Sequence, residues 1–170
     1  MKPKRELSMQ YNLRPLKREE YSMLEEFLYD AIFVPSGEAP PPPSVLLEPS
    51  LQNYYQDFGR AHDYCLVAEQ EGMLLGAVWA RVLSSPLKGY GYVDEHTPEL
   101  AISVQKEFRG KGIGTALLIK LLDLLQSKGY SQVSLSVQKG NPAVDLYKRV
   151  GFTILEEKGD DYLMLYAFAR

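Results

Sequence analysis

The residues best suited to chemistry lie between Glu99 and Gly129, where Arg109, Gly110, Lys111, Gly112, Ile113 and Gly114 join an alternating run, Leu100 to Val104, to an amphipathic helical stretch. Glycines at 110, 112 and 114 let the backbone approach a ligand closely, because no Cβ blocks it. The first N–H groups of the helix, Thr115 among them, have no intrahelical partner and carry the positive end of the helix dipole. Arg109 and Lys111 add full charges. The chemistry written here is the grip of a phosphate or pyrophosphate from several sides.

The spacing disfavours the two commonest nucleotide folds. A P-loop needs a lysine and a hydroxyl residue directly after its last glycine, whereas Gly114 is followed by Thr115 and Ala116. A dinucleotide fingerprint needs its third glycine where Thr115 stands and an acid about twenty residues on, where Ser136 and Gln138 stand instead. Further along, Asn141 precedes Pro142, an arrangement that starts a helix, and Tyr147 shares an inward helical face with Ala143, Leu146 and Val150.

The stretch resembles the GNAT superfamily of N-acetyltransferases, whose pyrophosphate loop reads Q/R-x-x-G-x-G/A. Arg109, Gly112 and Gly114 fill the specified positions, Gly110 and Lys111 are common in the free ones, and Asn141, Tyr147 and the Gly151-Phe152 pair match the family's next junction. The resemblance implies an α/β (α+β) fold of the acyl-CoA N-acyltransferase type, with a mixed, mostly antiparallel central sheet, helices on both faces, and two central strands splayed to admit pantetheine. It implies acetyl-CoA as acyl donor, an amine as acceptor, and direct attack in a ternary complex. It also implies that Ile102 and Val104 bind pantetheine through their main chains, with the Val104 N–H, freed by a local bulge, polarising the thioester. Arg109 to Gly112, Gly114 and Thr115 are then the pyrophosphate site, with Asn141 a cofactor ligand and helix cap.

Acyl transfer to an amine sets further demands. An alkylammonium titrates near 10.4, so at pH 7 the neutral nucleophile costs about 4.6 kcal/mol to reach. Within the resemblance Glu99 is the expected base, acting through water, with Asp94, Glu95 and His96 as neighbours that could substitute. Tyr147, whose hydroxyl titrates near 10, is the expected acid for the departing thiolate. A mouth lined by Asp94, Glu95 and Glu99 would attract a cationic amine. A small-molecule acceptor is the first expectation; a protein lysine or N-terminus, a non-catalytic CoA-binding module and a nucleotide-binding module are the alternatives. Similar proteins are often dimers, so a homodimer is possible.

Composition fits this reading. A chain of 170 residues, 45% apolar and 24% charged, suits one soluble domain over residues 1–170. A net charge of -3 argues against a nucleic-acid partner. The polar start MKPKRELS is unlike a secretory signal, and Lys120 and Asp123 interrupt the longest apolar run, so no membrane segment and a cytoplasmic location are expected. Cys65 is the only cysteine, in a strand pattern that predicts a buried thiol. His62 and His96 lack partners at ligand spacing, so no metal site is expected.

The elements that must position these groups follow from periodicity. Tyr11 to Leu16 reads as a strand and Lys17 to Ile32 as a helix, which ends before Pro35. Six prolines between Pro35 and Pro49 predict a stiff extended crossing, read as a wall over a substrate pocket. Leu51, Tyr54, Tyr55 and Phe58 predict a second short helix stopped at Gly59. Strands at Tyr64 to Glu69 and Met73 to Val82 flank a tight turn at Gln70 to Gly72. A tyrosine-rich and acid-rich loop, Ser84 to Thr97, leads to the central strand. Gln132 to Gln138, Phe152 to Glu156 and Tyr162 to Phe168 complete the strands.

Overall fold

The computed structural model describes residues 10–84 and 86–169; the amino-terminal stretch read above as unlike a signal lies outside them. Seven strands form one sheet in the order β1-β2-β3-β4-β5-β7-β6: β1 Asn12–Pro15, β2 Tyr64–Gln70, β3 Met73–Arg81, β4 Glu99–Val104, β5 Gln132–Gln138, β6 Thr153–Lys158 and β7 Asp161–Ala167. All neighbours are antiparallel except β4 and β5. The β2–β3 hairpin turns on Glu71 and Gly72, both at positive φ, the primed geometry that follows strand twist.

Helices cover both faces. On one, α1 (Leu24–Ala31) packs Leu24, Phe27 and Leu28 against Val67, Ala77 and Trp79, with Leu51 of α2 (Pro49–Gln52) half-buried beside them. On the other, the longest helix, α3 (Ile113–Ser127), buries Leu117, Leu118, Leu121 and Leu125 against Leu66, Val78, Leu100 and Val133, with α4 (Ala143–Val150) on the same side. Each such leucine stabilises the fold by roughly 1.5–3 kcal/mol. Gly129, at φ +88°, stops α3 and turns the chain toward β5. Among the described residues no helix is long and apolar enough to cross a membrane.

Three local expectations are corrected. The first helical stretch is a 3-10 turn at Arg18–Met23 followed by α1, and Glu20 turns back to accept from the Lys17 N–H at 2.9 Å. The proline crossing is broken by a turn at Pro35–Glu38, where Gly37 has φ +84°, and winds into a 3-10 turn at Pro43–Leu47. The second helix is only four residues long. Past it, Arg81 on β3 donates to the carbonyls of Asn53 (3.0 Å), Gln56 (2.7 Å) and Asp57 (3.3 Å), and Trp79 Nε1 donates to that of Tyr54 (2.9 Å). Acceptors that a longer helix would use internally are thereby engaged by side chains of β3.

Candidate active site

The site begins where β4 and β5 part. Their only register pair is Glu99 with Ser134, beside a bond from the Ser134 N–H to the Pro98 carbonyl at 3.0 Å; beyond it the strands diverge into a V. On its other edge β4 stays in unbroken register with β3, from Arg81↔Glu99 to Gly76↔Val104. The bulge expected at Val104 is therefore absent. Gly76 allows the flat approach, since a Cβ there would stand 2.8 Å from the Ser103 carbonyl oxygen.

The phase of the ladder fixes which amides are free. Gln105 donates to the Leu75 carbonyl at 2.8 Å, so odd-numbered residues of β4 bond to β3 and even-numbered ones face β5. The Pro98 bond to β5 agrees. Ile102 and Val104 thus direct N–H and C=O into the V, where the divergence of β5, and not a bulge, leaves them without a strand partner. Side chains alternate across the sheet. Leu100, Ile102 and Val104 face α3; Glu99, Ala101 and Ser103 face α1 and the Ser84–Thr97 loop.

At the mouth of the V lies the glycine loop. Gly110 and Gly112 have φ of +75° and +84°, and a Cβ at either would meet open space, so conformation alone requires glycine there. The first intrahelical bond of α3 runs from the Ala116 N–H to the Gly112 carbonyl, which leaves the N–H groups of Ile113, Gly114 and Thr115 as helix-terminal donors. A Cβ on Gly114 would sit 3.7–3.8 Å from Leu146, Val104 and Ile102, in ordinary contact. Lys111 holds Nζ 5.8 Å from the centre of the Phe108 ring. The Arg109 guanidinium is engaged elsewhere, with Nε donating to the Val104 carbonyl at 2.8 Å and Nη2 to the Asp30 carbonyl at 3.3 Å.

The closed apex is organised around Glu99, which is 3% exposed. Its Oε1 accepts from the Gly91 N–H at 2.8 Å and the Tyr54 hydroxyl at 3.1 Å, and Oε2 accepts from the Gly89 N–H at 3.1 Å. Burial pushes its pKa up, and these three donors partly offset the rise. A Cβ on Gly89 would collide with the Glu99 carboxylate and the Tyr54 hydroxyl, and one on Gly91 would press on the backbone of Leu135 at 3.0 Å. Ser134 donates to the Gly91 carbonyl at 2.5 Å, and the Tyr90 N–H to the Tyr54 hydroxyl at 2.8 Å. Glu99 therefore lies beneath the loop and does not form an open acidic mouth with Asp94 and Glu95. Asp94 is occupied by the His96 N–H and the Thr97 hydroxyl, both at 2.8 Å.

Sequence reasoning missed Tyr54, Gly89 and Gly91 as partners of Glu99. The one available signal was the Gly-Tyr-Gly spacing inside the tyrosine-rich loop. Ser103 was missed too: its Oγ is buried on the α1 face of β4 with no hydrogen-bond partner among the described residues.

Asn141 caps α4 through Oδ1, which accepts from the Ala143 N–H at 2.9 Å. Tyr147 is buried, with its ring edge-on to Phe152 at 5.8 Å, and burial raises its hydroxyl pKa. On the α1 side a cleft of about 320 Å³ is lined by Glu25, Glu26, Tyr29, Asp30, Pro43 and Leu46, and the Tyr29 hydroxyl donates to the Pro41 carbonyl at 2.6 Å. Of the prolines in the crossing, Pro43 lines this acidic cleft beside α1.

A V between two strands, with a helix amino terminus at its mouth, can admit an extended ligand with an anionic end. The sequence pattern of the Acetyltransferase (GNAT) family matches residues 26–152. The chain belongs to that family. It has the family's mixed fold. Relatives include mycothiol acetyltransferases of Thermobispora bispora, 38% identical over 88 residues (51% of this chain, 29% of that protein), and of Corynebacterium glutamicum, 36% identical over 73 residues (40% and 25%). The matched segments thus span only 25–29% of those relatives. Similar solved structures include the paia N-acetyltransferase of Thermoplasma acidophilum in complex with coenzyme A, with TM-score 0.68, 18% identity and coverage of 94% and 100%. Another is the Escherichia coli ribosomal-protein-S18-alanine N-acetyltransferase, with TM-score 0.64, 16% identity and coverage of 95% and 96%.

Proposed function

We propose that this GNAT protein moves the acetyl group of acetyl-CoA to the primary amine of a small molecule, by direct attack within a ternary complex. The observation that carries the reading is the V itself: two strands joined only at Glu99 and Ser134, with the Ile102 and Val104 peptide groups turned into the gap. Pantetheine lies along that edge of β4, and its pyrophosphate rests on the N–H groups of Gly110 to Thr115 with Lys111 as counter-charge. Asn141 faces the ligand with its Nδ2, since Oδ1 is committed to the cap.

The amine nitrogen bonds to the thioester carbon, the oxyanion accepts from an open N–H of β4, and collapse breaks the C–S bond. Tyr147, kept protonated by burial, gives its proton to the sulfur. Glu99 receives the proton of the ammonium through water. At about 3.3 Å per residue its Cα is roughly 10 Å from that of Ile102 and 16 Å from that of Val104, too far for direct transfer at either amide. An acidic approach, Glu25, Glu26 and Asp30 beside α1, suits a cationic acceptor. The mycothiol acetyltransferase relatives support a small acceptor, while the ribosomal-protein neighbour keeps a protein amino terminus as the second reading.

Calorimetric titration with acetyl-CoA, against ATP and NAD as controls, tests the reading. Selective binding of acetyl-CoA is expected, together with a loss of about tenfold or more in Gly112→Val, where a β-branched residue is forced to φ +84°. Binding of ATP or NAD in preference to acetyl-CoA would sink the proposal. Turnover is then measured with spermidine, glucosamine and tetrapeptides bearing free amino termini.

A further inference from the structure

Arg109 stands at the first position of the glycine loop, yet the bonds of its guanidinium run to two other elements. Nε donates to the Val104 carbonyl and Nη2 to the Asp30 carbonyl. Val104 is an even-numbered residue of β4, so that carbonyl lies on the edge facing the V. Ile102 consequently offers both N–H and C=O to a ligand, whereas Val104 offers only its N–H. Asp30 belongs to the last turn of α1, where carbonyls lack intrahelical partners and the dipole is negative, a favourable seat for a cation.

The same helix end reaches across the mouth. Phe33, just beyond α1, comes within 3.7 Å of where a Gly140 Cβ would stand, on the connection from β5 to α4. A single side chain thus ties the open edge of β4, the root of the glycine loop and the acceptor-side helix. Lys111, by contrast, keeps its ammonium near Phe108 at the surface of the loop.

Resting on the reading of acetyl transfer within the V, we infer that the Arg109 guanidinium is a positioning group for acyl transfer, holding the Val104 peptide and the end of α1, and is not a ligand of the pyrophosphate. It fixes the Val104–Gln105 peptide plane, at the end of β4 next to the Val104 N–H, and seats α1 over the acceptor side. Its effect therefore follows the acyl end of the donor and the acceptor, and is indifferent to the nucleotide.

The test compares acetyl-CoA with S-acetylpantetheine, which keeps the thioester and both amides but lacks pyrophosphate and nucleotide. Arg109→Gln is expected to lower kcat/KM about tenfold or more with either donor, by factors that agree within about threefold, and to lower kcat as well as raise the acceptor KM. Arg109→Lys does not restore activity, because one ammonium cannot reproduce a planar fork that serves two carbonyls. Lys111→Gln is the opposite control and loses affinity for acetyl-CoA alone. A penalty for Arg109→Gln that disappears with S-acetylpantetheine would overturn the inference.

The ligand-free protein gives an independent readout. The amide resonances of Val104, Gln105 and the last turn of α1 shift in Arg109→Gln, and unchanged resonances would also overturn it. Calorimetry with coenzyme A and with pantetheine gives the same comparison without any acceptor. Failure of the wild type to bind coenzyme A would instead remove the acetyltransferase reading itself.

Discussion

The two ends of the V are built by opposite rules. At the apex, the side-chain oxygens of Glu99, Tyr54 and Ser134 all have protein partners, and two glycines let the loop backbone close onto the carboxylate. At the mouth, backbone donors are left open, glycines stand at positive φ with empty space beside them, and the lysine is exposed. Satisfied groups in a low-dielectric setting hold a geometry, while open ones are available to a ligand. Variants at the apex should therefore be read first in stability and turnover, and variants at the mouth first in coenzyme A affinity.

Arg81 gives the largest expected effect. It is 2% exposed, donates to both carboxylate oxygens of Asp63 at 3.0 and 3.1 Å, and holds the carbonyls that shape the turn carrying Tyr54. Arg81→Met leaves the Asp63 carboxylate buried without its cation, held only by the Gly59 and Arg60 N–H groups, at a cost of about 3 kcal/mol. Chemical denaturation checks this, and a loss below about 1 kcal/mol would show that the apex does not depend on this clasp.

Glu99→Gln comes next and separates the carboxylate's charge from its shape. The amide keeps one acceptor for Gly91 and Tyr54 but turns a donor toward the Gly89 N–H. We expect kcat to fall about a hundredfold, near 2.7 kcal/mol of transition-state energy. In the wild type the acid limb of kcat/KM should lie above the ordinary carboxylate range, because burial raises the Glu99 pKa. Near-wild-type kcat and an unmoved acid limb in Glu99→Gln would reduce Glu99 to a loop anchor.

Arg14 serves as the reference outside both ends. It bonds Glu20 at 2.8 and 2.9 Å and also pairs with Glu69, and the Glu20 contact holds that carboxylate's pKa down at about 2. A depressed carboxylate pKa stabilises the fold above the unfolded value and ceases to do so as pH falls through the folded one. Arg14→Met should therefore cost about 1–2 kcal/mol at pH 7, with the difference from wild type fading between about pH 4.5 and 2. Denaturation across that range reads it, and turnover at pH 7 should stay unchanged.

The mouth was legible in the sequence and the apex was not, for a physical reason. Gly110, Gly112 and the helix that follows are a local device, and so is Asn141 before Pro142; each works through neighbours within a few residues. Glu99 meets Tyr54 across 45 positions and Gly91 across 8, and only the folded sheet brings them together. The splay was reached through resemblance, because no residue of β4 or β5 marks where pairing stops. The second helix is shorter than its spacing predicts: Leu51, Tyr54, Tyr55 and Phe58 do recur at helical intervals, but nothing nearby in the sequence shows that Arg81 and Trp79 engage the carbonyls of that turn. The expected bulge at Val104 rested on the family resemblance alone; here the β3–β4 ladder is unbroken and the missing neighbour is β5.

Gly114 gives the smallest effect and the finest test of where the mouth begins. Unlike Gly110 and Gly112 it lies inside α3 without a positive φ, and an added Cβ would rest 3.7–3.8 Å from Leu146, Val104 and Ile102. Alanine there should raise stability by about 0.5–1 kcal/mol, since glycine is the poorer residue inside a helix. Its methyl group would narrow the space beside the Ile102 and Val104 edge only slightly, so coenzyme A affinity should fall by no more than about threefold. Alanine at Gly112 should do the reverse, losing both stability and affinity through its left-handed backbone. A large loss of affinity in Gly114→Ala would mean that pantetheine passes closer to the α3 backbone than the width of a methyl group. The boundary between the region that holds its own shape and the region left open for the ligand would then move one turn into α3.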